Sequence, residues 1–171
     1  MDGDLTVENE IERRWVPNHI PDAIMREIKT GRIRTLLINQ GYIPDENGSR
    51  LRNEIEQGVH RYYLTWKEGE GMIRPEHEMV LTQERFMSGW KHVTCQLWKT
   101  RYFIPFRNRM LQLNIYLGPL KGYMQIEVEF KTEEEAHAFV APEWFGEEVT
   151  DDKRHGNHSL ACYGIPDGEA A

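Results

Sequence analysis

Polar residues of one charge type recur in pairs spaced by two positions, and this pattern limits the fold more than any other feature of the chain. Successive side chains of a β-strand point to opposite faces, so both members of a pair lie on one face of a strand. The pairs are Glu10/Glu12, Arg50/Arg52, Glu76/Glu78, Lys99/Arg101, Gln112/Asn114 and Glu127/Glu129. One such strand is ordinary, since any strand with a solvated face alternates. The recurrence predicts a polar-lined barrel that holds a highly charged anion together with a metal ion.

Length and charge set further limits. The 171 residues, of which 39% are hydrophobic and 29% charged, predict one soluble domain over 1–171, with a core at about 5–161 and a flexible tail at 164–171. The net charge of −7 argues against a nucleic-acid polymer as partner, because that binding depends on broad basic surface. A small phosphate ligand in an enclosed basic pocket is still allowed. The absence of a long apolar run and of a basic N-terminal region predicts neither membrane contact nor a signal segment.

The two cysteines, Cys95 and Cys162, lie far apart in the sequence and have neither metal-binding nor redox spacing. We therefore expect both to be reduced, and the protein to be cytoplasmic.

The remaining patterns predict about eight antiparallel strands and a few helices. Apolar spacing predicts a helix over 22–29, Thr82 is placed to cap another helix that ends near Trp90, and Thr132 begins a capping box. Thr150 is expected to cap a short helix, with His155 and His158 on a polar surface. The fold class is therefore α+β, a closed eight-stranded antiparallel barrel with helices packed outside.

Seven short motifs follow one another along the chain. They are residues 10–14 (EIERR), 40–42 (QGY), 50–52 (RLR), 64–67 (LTWK), 74–78 (RPEHE), 99–102 (KTRY) and 127–130 (EVEF). In type and order they resemble the CYTH domain, the family of triphosphate tunnel metalloenzymes, whose signature is ExExK. The similarity runs from about residue 5 to residue 161. Residues 144–150 (WFGEEVT), followed by Lys153, Arg154 and Asn157, are similar to the family's bacterial members.

The resemblance implies an eight-stranded antiparallel tunnel that binds triphosphate compounds together with Mg²⁺ or Mn²⁺. The family's activities include inorganic triphosphatase, thiamine triphosphatase, RNA triphosphatase and class IV adenylate cyclase. The compact C-terminal segment favours the first, so we expect metal-dependent hydrolysis of inorganic triphosphate or a small triphosphate compound. Two alternatives stay open: a class IV-type adenylate cyclase, and a triphosphate-binding module with weak or no turnover. A homodimer also stays open.

Charge type sorts the candidate site residues by role. Triphosphate needs dense cationic contacts in a partly dehydrated site. The candidates for substrate binding are Arg14, Arg50, Arg52, Lys67, Arg74, Lys99 and Arg101. Carboxylates offer the hard oxygen ligands that Mg²⁺ or Mn²⁺ prefers. The candidate metal ligands are Glu10, Glu12, Glu76, Glu78, Glu127 and Glu129. The candidate catalytic residues are Glu76, Glu78 and Tyr42, which the family's motif implies to be near the phosphates.

Two departures from the family pattern bear on activity. The last position of ExExK is Arg14, which keeps the charge but replaces a compact ammonium with a planar fork. Where the family usually has Glu-Leu-Asp, this chain has Gln112-Leu113-Asn114, so two carboxylates are replaced by amides. The second departure predicts weaker metal binding or slower catalysis, and it motivates the binding-module alternative.

Overall fold

The computed structural model describes residues 5–44, 48–67 and 73–166, with the backbone alone at Lys67, Ile73 and Arg74. Residues 167–171 of the predicted tail lie outside these ranges, as do residues 1–4, 45–47 and 68–72. Among the described residues, no helix has both the length and the apolar character that a membrane crossing requires.

Eight antiparallel strands form a closed barrel. They are β1 (Leu5–Val16), β2 (Thr35–Tyr42), β3 (Arg50–Glu56), β4 (Val59–Lys67), β5 (Ile73–Leu81), β6 (Cys95–Phe106), β7 (Arg109–Tyr116) and β8 (Met124–Glu129). The strand order is β5-β4-β3-β2-β6-β7-β8-β1, and β1 closes the ring because residues 5–11 pair with β5 while residues 12–15 pair with β8. A two-residue strand, β9 (Glu147–Glu148), adds to the end of β1. The predicted fold class is confirmed.

The described residues form four helices outside the barrel, and three of these helices lie where the sequence predicts. They are α1 (Asp22–Lys29), α2 (Gln83–Trp90), α3 (Glu133–Ala138) and α4 (Asn157–Tyr163). Thr82 and Thr132 cap α2 and α3, since each side-chain oxygen accepts a bond from the backbone N–H three residues later. The prediction for Thr150 is wrong. Asp152 caps the short 3-10 turn at 153–155, while Thr150 Oγ1 accepts a 3.1 Å bond from the backbone N–H of Arg14.

The larger hydrophobic cluster lies outside the barrel wall, between the strands and the helices. Trp15, Leu111, Leu113, Ile126 and Val128 are at most 2% exposed and belong to one cluster, which also includes Ala136 of α3. Because side chains alternate along a strand, burying these residues outside turns their polar neighbours toward the lumen. The apolar outer face thus fixes which residues can meet a ligand.

A disulfide joins Cys95, at the start of β6, to Cys162 in α4, with the two Cα atoms 5.1 Å apart. The prediction of two reduced cysteines is wrong. The cysteines are separated by 67 positions, and sequence spacing does not reveal that α4 returns to the start of β6. A second cluster of buried residues, including Leu97, Tyr116 and Leu160, also packs α4 against β6 and β7.

Candidate active site

The barrel lumen contains a cavity of about 230 Å³ with an almost wholly polar lining. Nine of the fourteen predicted site residues line it: Glu10, Glu12, Arg50, Arg52, Glu76, Glu78, Arg101, Glu127 and Glu129. Gln40, Glu54 and Asn157 line it as well, and Ile38 is the one apolar residue among the described residues of the lining. Carboxylates and guanidinium groups from five strands thus meet in one enclosed space.

The two arginines of β3 pair with the two glutamates of β5 across the intervening strand β4. Arg52 Nη2 lies 2.6 Å from Glu78 Oε2, and Arg50 Nη2 lies 3.5 Å from Glu76 Oε2. Between these strands β4 contributes Thr65, which is fully buried and opposite both Arg50 and Glu78 in the strand register. The small threonine side chain leaves room for the long side chains to pair over it.

The pKa values of these two arginines shift in opposite directions. For Arg50, burial lowers the pKa, but Glu76 and the other nearby carboxylates raise it by more, so the pKa lies above its ordinary value. For Arg52, burial and the positive charge of Arg50 outweigh Glu54 and Glu78, and the pKa is lowered. Both groups stay charged at neutral pH, because an arginine pKa is far above it.

On the opposite side, Arg101 bridges a carboxylate and an amide. Its Nη2 lies 2.5 Å from Glu127 Oε2, and its Nε donates a 2.9 Å bond to Asn114 Oδ1. Gln112 Nε2 donates a 2.7 Å bond to Glu129 Oε1. Both amides therefore lie among charged groups of the lumen. Asn114 accepts a hydrogen bond through its amide oxygen, and Gln112 donates one through its amide nitrogen.

Lys99 is an ammonium group with almost no access to water. Its side chain is 1% exposed, and Nζ lies 3.3 Å from Asn157 Oδ1 and 3.7 Å from Glu127 Oε1. Burial lowers the pKa of Lys99 to about 7; nearby arginines lower it too, while Glu127 opposes the shift. A fraction of this lysine is thus neutral at physiological pH.

Tyr42 packs beside the cavity without appearing in its lining. The Tyr42 hydroxyl accepts a 2.7 Å bond from Gln40 Nε2, and burial raises its pKa. Gly41 lies between them on the outer face, where a Cβ atom would come within 2.5 Å of Val93 and 2.9 Å of Trp90. The QGY motif therefore needs its glycine so that the strand can approach these two residues closely.

Arg14 binds the C-terminal segment. Its Nη2 donates a 2.8 Å bond to the carbonyl oxygen of Thr150, and its Nη1 donates a 3.3 Å bond to that of His155. A planar guanidinium spans these two carbonyl groups, which is a physical reason for an arginine at this position. The phosphate contact predicted for Arg14 stays a prediction.

The chain is similar to a known protein over most of its length. No protein-family model matches the chain. An inorganic triphosphatase of Nitrosomonas europaea is 35% identical to it over 154 residues, which cover 89% of this chain and 96% of the relative. The chain belongs to the CYTH family of triphosphate tunnel metalloenzymes.

Solved structures agree with this assignment to the CYTH family. The inorganic triphosphatase NE1496 superposes with a TM-score of 0.62 at 33% identity, covering 89% of this chain and 97% of its own. A candidate adenylate cyclase from Bacillus halodurans superposes with a TM-score of 0.55 at 18% identity, covering 77% of this chain and 85% of its own. The second likeness shows the tunnel fold alone.

Two of the CYTH-type cations can be placed only by their backbone. In the strand register, Lys67 is opposite Glu76 and Arg74 is opposite Glu10. Their side chains lie outside the described part of the structure, so their predicted roles stay predictions.

Three residues that bear on the site were not predicted from the sequence. Glu54 continues the alternation of Arg50 and Arg52 and could have been found from that signal. Asn157 belongs to α4, and the only sequence signal for its role was its position in the CYTH-like C-terminal segment. His155 was expected on a surface, but it is fully buried, with Nδ1 2.7 Å from the Tyr123 hydroxyl. The expectation was wrong for His155 and correct for His158, which is exposed.

Proposed function

We propose that this chain hydrolyses inorganic triphosphate, or a small compound that contains triphosphate, inside its tunnel and with a divalent metal ion. The observation that carries the proposal is the luminal cavity, where Arg50, Arg52 and Arg101 lie among seven carboxylates. The 35% identity to an inorganic triphosphatase supports the same choice of substrate.

Phosphate binding requires an exchange of partners in the lumen. In the structure, carboxylates pair with the three arginines, and Arg52 and Arg101 lie 2.6 Å and 2.5 Å from glutamate oxygens. Phosphate oxygens match the same guanidinium donors, and these charge-assisted bonds are stronger than neutral ones. Bound triphosphate would therefore take over arginine contacts and release carboxylate oxygens.

The released carboxylates fit a hard divalent cation. Glu10, Glu12, Glu76, Glu78, Glu127 and Glu129 offer the oxygen ligands that Mg²⁺ or Mn²⁺ prefers, and all six line the cavity. Among the described residues they do not converge on a three-ligand group by themselves, because several are held by arginine. A bound ion supplies charge neutralisation on the phosphate oxygens. The choice between Mg²⁺ and Mn²⁺ is a matter for experiment.

Two buried groups, Lys99 and Tyr42, lie beside this cavity. Lys99 does not line it, but its Nζ, whose pKa burial lowers to about 7, lies 3.7 Å from the luminal Glu127 Oε1, and the phosphate contact predicted for Lys99 stays a prediction. The raised pKa of Tyr42 keeps its hydroxyl protonated, so that it serves as a hydrogen-bond donor to a phosphate oxygen or the leaving group. The catalytic roles predicted for Glu76 and Glu78 become available when Arg50 and Arg52 turn to phosphate.

A triphosphate-binding module with little turnover is the second candidate. The observation that favours it is that Gln112 and Asn114, which are 8% and 0% exposed, contact the luminal residues Glu129 and Arg101 at positions where the CYTH pattern usually has carboxylates. The adenylate cyclase alternative has weaker support, because the likeness to a candidate cyclase at 18% identity reaches only the fold.

Product analysis separates the three functions. The protein is incubated with inorganic triphosphate, ATP or thiamine triphosphate, each with Mg²⁺ or Mn²⁺. Release of orthophosphate from inorganic triphosphate supports the proposal, and cyclic AMP with pyrophosphate from ATP would establish the cyclase. Tight binding without any product would establish the binding module. Arg50→Ala with Arg52→Ala is the control for a contaminating phosphatase, since activity that belongs to the tunnel is lost with these two residues.

The cytoplasmic location and the homodimer stay predictions. The cytoplasmic location was predicted partly from reduced cysteines, whereas the disulfide between Cys95 and Cys162 is a bond typical of oxidising compartments. Sedimentation equilibrium of the purified protein measures the second.

A further inference from the structure

Two sulfur atoms and one imidazole meet beside the start of β6. Cys95, His158 and Cys162 each offer one ligand atom, and these atoms lie within 4.8 Å of one another. His158 and Cys162 are one helical turn apart on α4, so they share a face of that helix, and His158 Nε2 lies 3.7 Å from Cys162 Sγ. None of the three lines the tunnel cavity, so this cluster is distinct from the carboxylate site.

The ligand chemistry of the cluster differs from that of the tunnel. Thiolate and imidazole suit Zn²⁺ and similar borderline or soft ions, whereas the luminal carboxylates suit Mg²⁺ or Mn²⁺. With Zn–S near 2.3 Å and Zn–N near 2.0–2.1 Å, neighbouring ligand atoms of a tetrahedral site lie about 3.3–3.8 Å apart. The 3.7 Å separation of the His158 nitrogen and the Cys162 sulfur matches one edge of such a site.

We propose that Cys95, His158 and Cys162 form a Zn²⁺ site when their disulfide is reduced. A phosphine reductant opens the S–S bond with one water: the phosphine becomes its oxide, and the two sulfurs take up two electrons and two protons as thiols. Zn²⁺ then replaces the thiol protons, which pass to solvent, and water completes the coordination as in other three-ligand zinc sites. Disulfide and metal exclude each other, because both use the same two sulfurs.

Access favours this exchange. His158 is exposed and both cysteines are half-buried, so a reductant and then a metal ion can reach the cluster from solvent. Either state ties α4 to β6, and α4 touches the proposed active site at two places. The His158 ring packs edge-on against Tyr42 with centroids 5.0 Å apart, and the preceding residue, Asn157, accepts the hydrogen bond of Lys99. The cluster is thus a second metal site that holds the same helix as the disulfide.

Cobalt absorption tests the site directly. The full chain is reduced with a phosphine, freed of excess reagent under nitrogen and titrated with Co²⁺, whose thiolate complexes absorb in the near ultraviolet while its carboxylate complexes do not. We expect a sulfur-to-cobalt band that saturates at one ion per chain and is abolished by Zn²⁺. The oxidised protein, and the Cys95→Ser and Cys162→Ser variants, should lack the saturating band.

The exposed position of His158 provides a variant that leaves the cysteines intact. His158→Ala should weaken Co²⁺ affinity at least about tenfold, since even the loss of an outer-shell partner has such an effect. His137→Ala, at an exposed position on α3, is the matched control and should bind like the parent. A reduced parent protein without the sulfur-to-cobalt band would overturn the proposal, and so would parental affinity in His158→Ala. Neither result would touch the proposed triphosphatase, which depends on the tunnel carboxylates.

Discussion

Lys99 Nζ donates a 3.3 Å hydrogen bond to Asn157 Oδ1, and this contact joins the barrel wall to the C-terminal helix across 58 residues of sequence. The same Asn157 oxygen accepts a 2.7 Å bond from the Tyr116 hydroxyl. One amide oxygen thus orients two buried groups of adjacent strands, including the lysine with the pKa of about 7. Buried polar groups must find such partners, because an unpaired one is costly.

The first prediction follows from the pKa of Lys99. The folded protein holds this pKa at about 7, against an ordinary value of 10.5, so between these pH values the unfolded chain binds more protons. The free energy of unfolding therefore rises with pH across this window. Below pH 7 Lys99 is charged in the folded protein, and its buried charge then lowers the free energy of unfolding by the full amount. Lys99→Met removes the buried charge, so any stability gain over the parent should be larger at pH 6 than at pH 9.

Urea unfolding of both proteins at pH 6 and pH 9 measures this difference. Lys121→Met, at an exposed lysine, is the matched control and should show the same difference from the parent at both pH values. A Lys99→Met effect that is independent of pH would show that the lysine has an ordinary pKa in the folded state.

The second prediction concerns the cations of β3. Arg52→Ala should weaken triphosphate binding by roughly 1.5–3 kcal/mol, the scale of a hydrogen bond to a charged group. Glu54 and Glu78, which Arg52 contacts at 3.2 Å and 2.6 Å, would also be left facing the phosphates. Titration calorimetry gives the dissociation constants. Arg34→Ala removes an arginine that pairs with Glu56 away from the cavity lining and should bind like the parent; equal losses in both variants would indicate a nonspecific charge effect.

The third prediction is that triphosphate stabilises the fold. The ligand binds the closed barrel and not the unfolded chain, so at about a hundred times its dissociation constant it should add roughly 2.7 kcal/mol to the free energy of unfolding. Melting curves with and without triphosphate, in the presence and absence of Mg²⁺, measure the effect. An unchanged melting temperature at millimolar triphosphate in every condition would speak against a tunnel site.

The barrel could be predicted from local signals. Alternation at Arg50/Arg52 or Glu127/Glu129 depends on strand geometry alone, and the buried outer residues Leu113, Ile126 and Val128 impose the matching register. Helix caps at Thr82 and Thr132 are equally local. The cap predicted at Thr150 is wrong because Asp152, two residues later, is an equally good cap, and the choice depends on a tertiary contact of Thr150 with Arg14.

The rest of the site depends on the packing of α4 against the barrel, and no local sequence pattern predicts that contact. Asn157 reaches Lys99, and Cys162 reaches Cys95, only because α4 packs against the start of β6. The depressed pKa of Lys99 is likewise a property of burial and not of residue type. Sequence reasoning could therefore name the charged residues of the lumen, but it could not tell how they pair or which of them lose contact with water.

The fourth prediction concerns the two luminal amides, which the structure distinguishes. Gln112 Nε2 donates a 2.7 Å bond to Glu129 Oε1. Gln112→Glu replaces this donor with a second carboxylate, so two negative charges would lie close together. Asn114→Asp instead gives Arg101 Nε a charged acceptor where it now has an amide at 2.9 Å. Without metal, Gln112→Glu should therefore lower the melting temperature more than Asn114→Asp.

With metal present, the added carboxylates should become favourable, because a hard divalent cation prefers charged oxygens to amide oxygens. The double variant should then need less Mg²⁺ or Mn²⁺ for half-maximal phosphate release, and without metal it should bind triphosphate more weakly than the parent. Metal titrations of phosphate release and metal-free melting curves for the parent, both single variants and the double variant measure these effects. Identical metal dependence in all four proteins would place Gln112 and Asn114 outside the catalytic metal site, and the weak-turnover alternative would lose its structural basis.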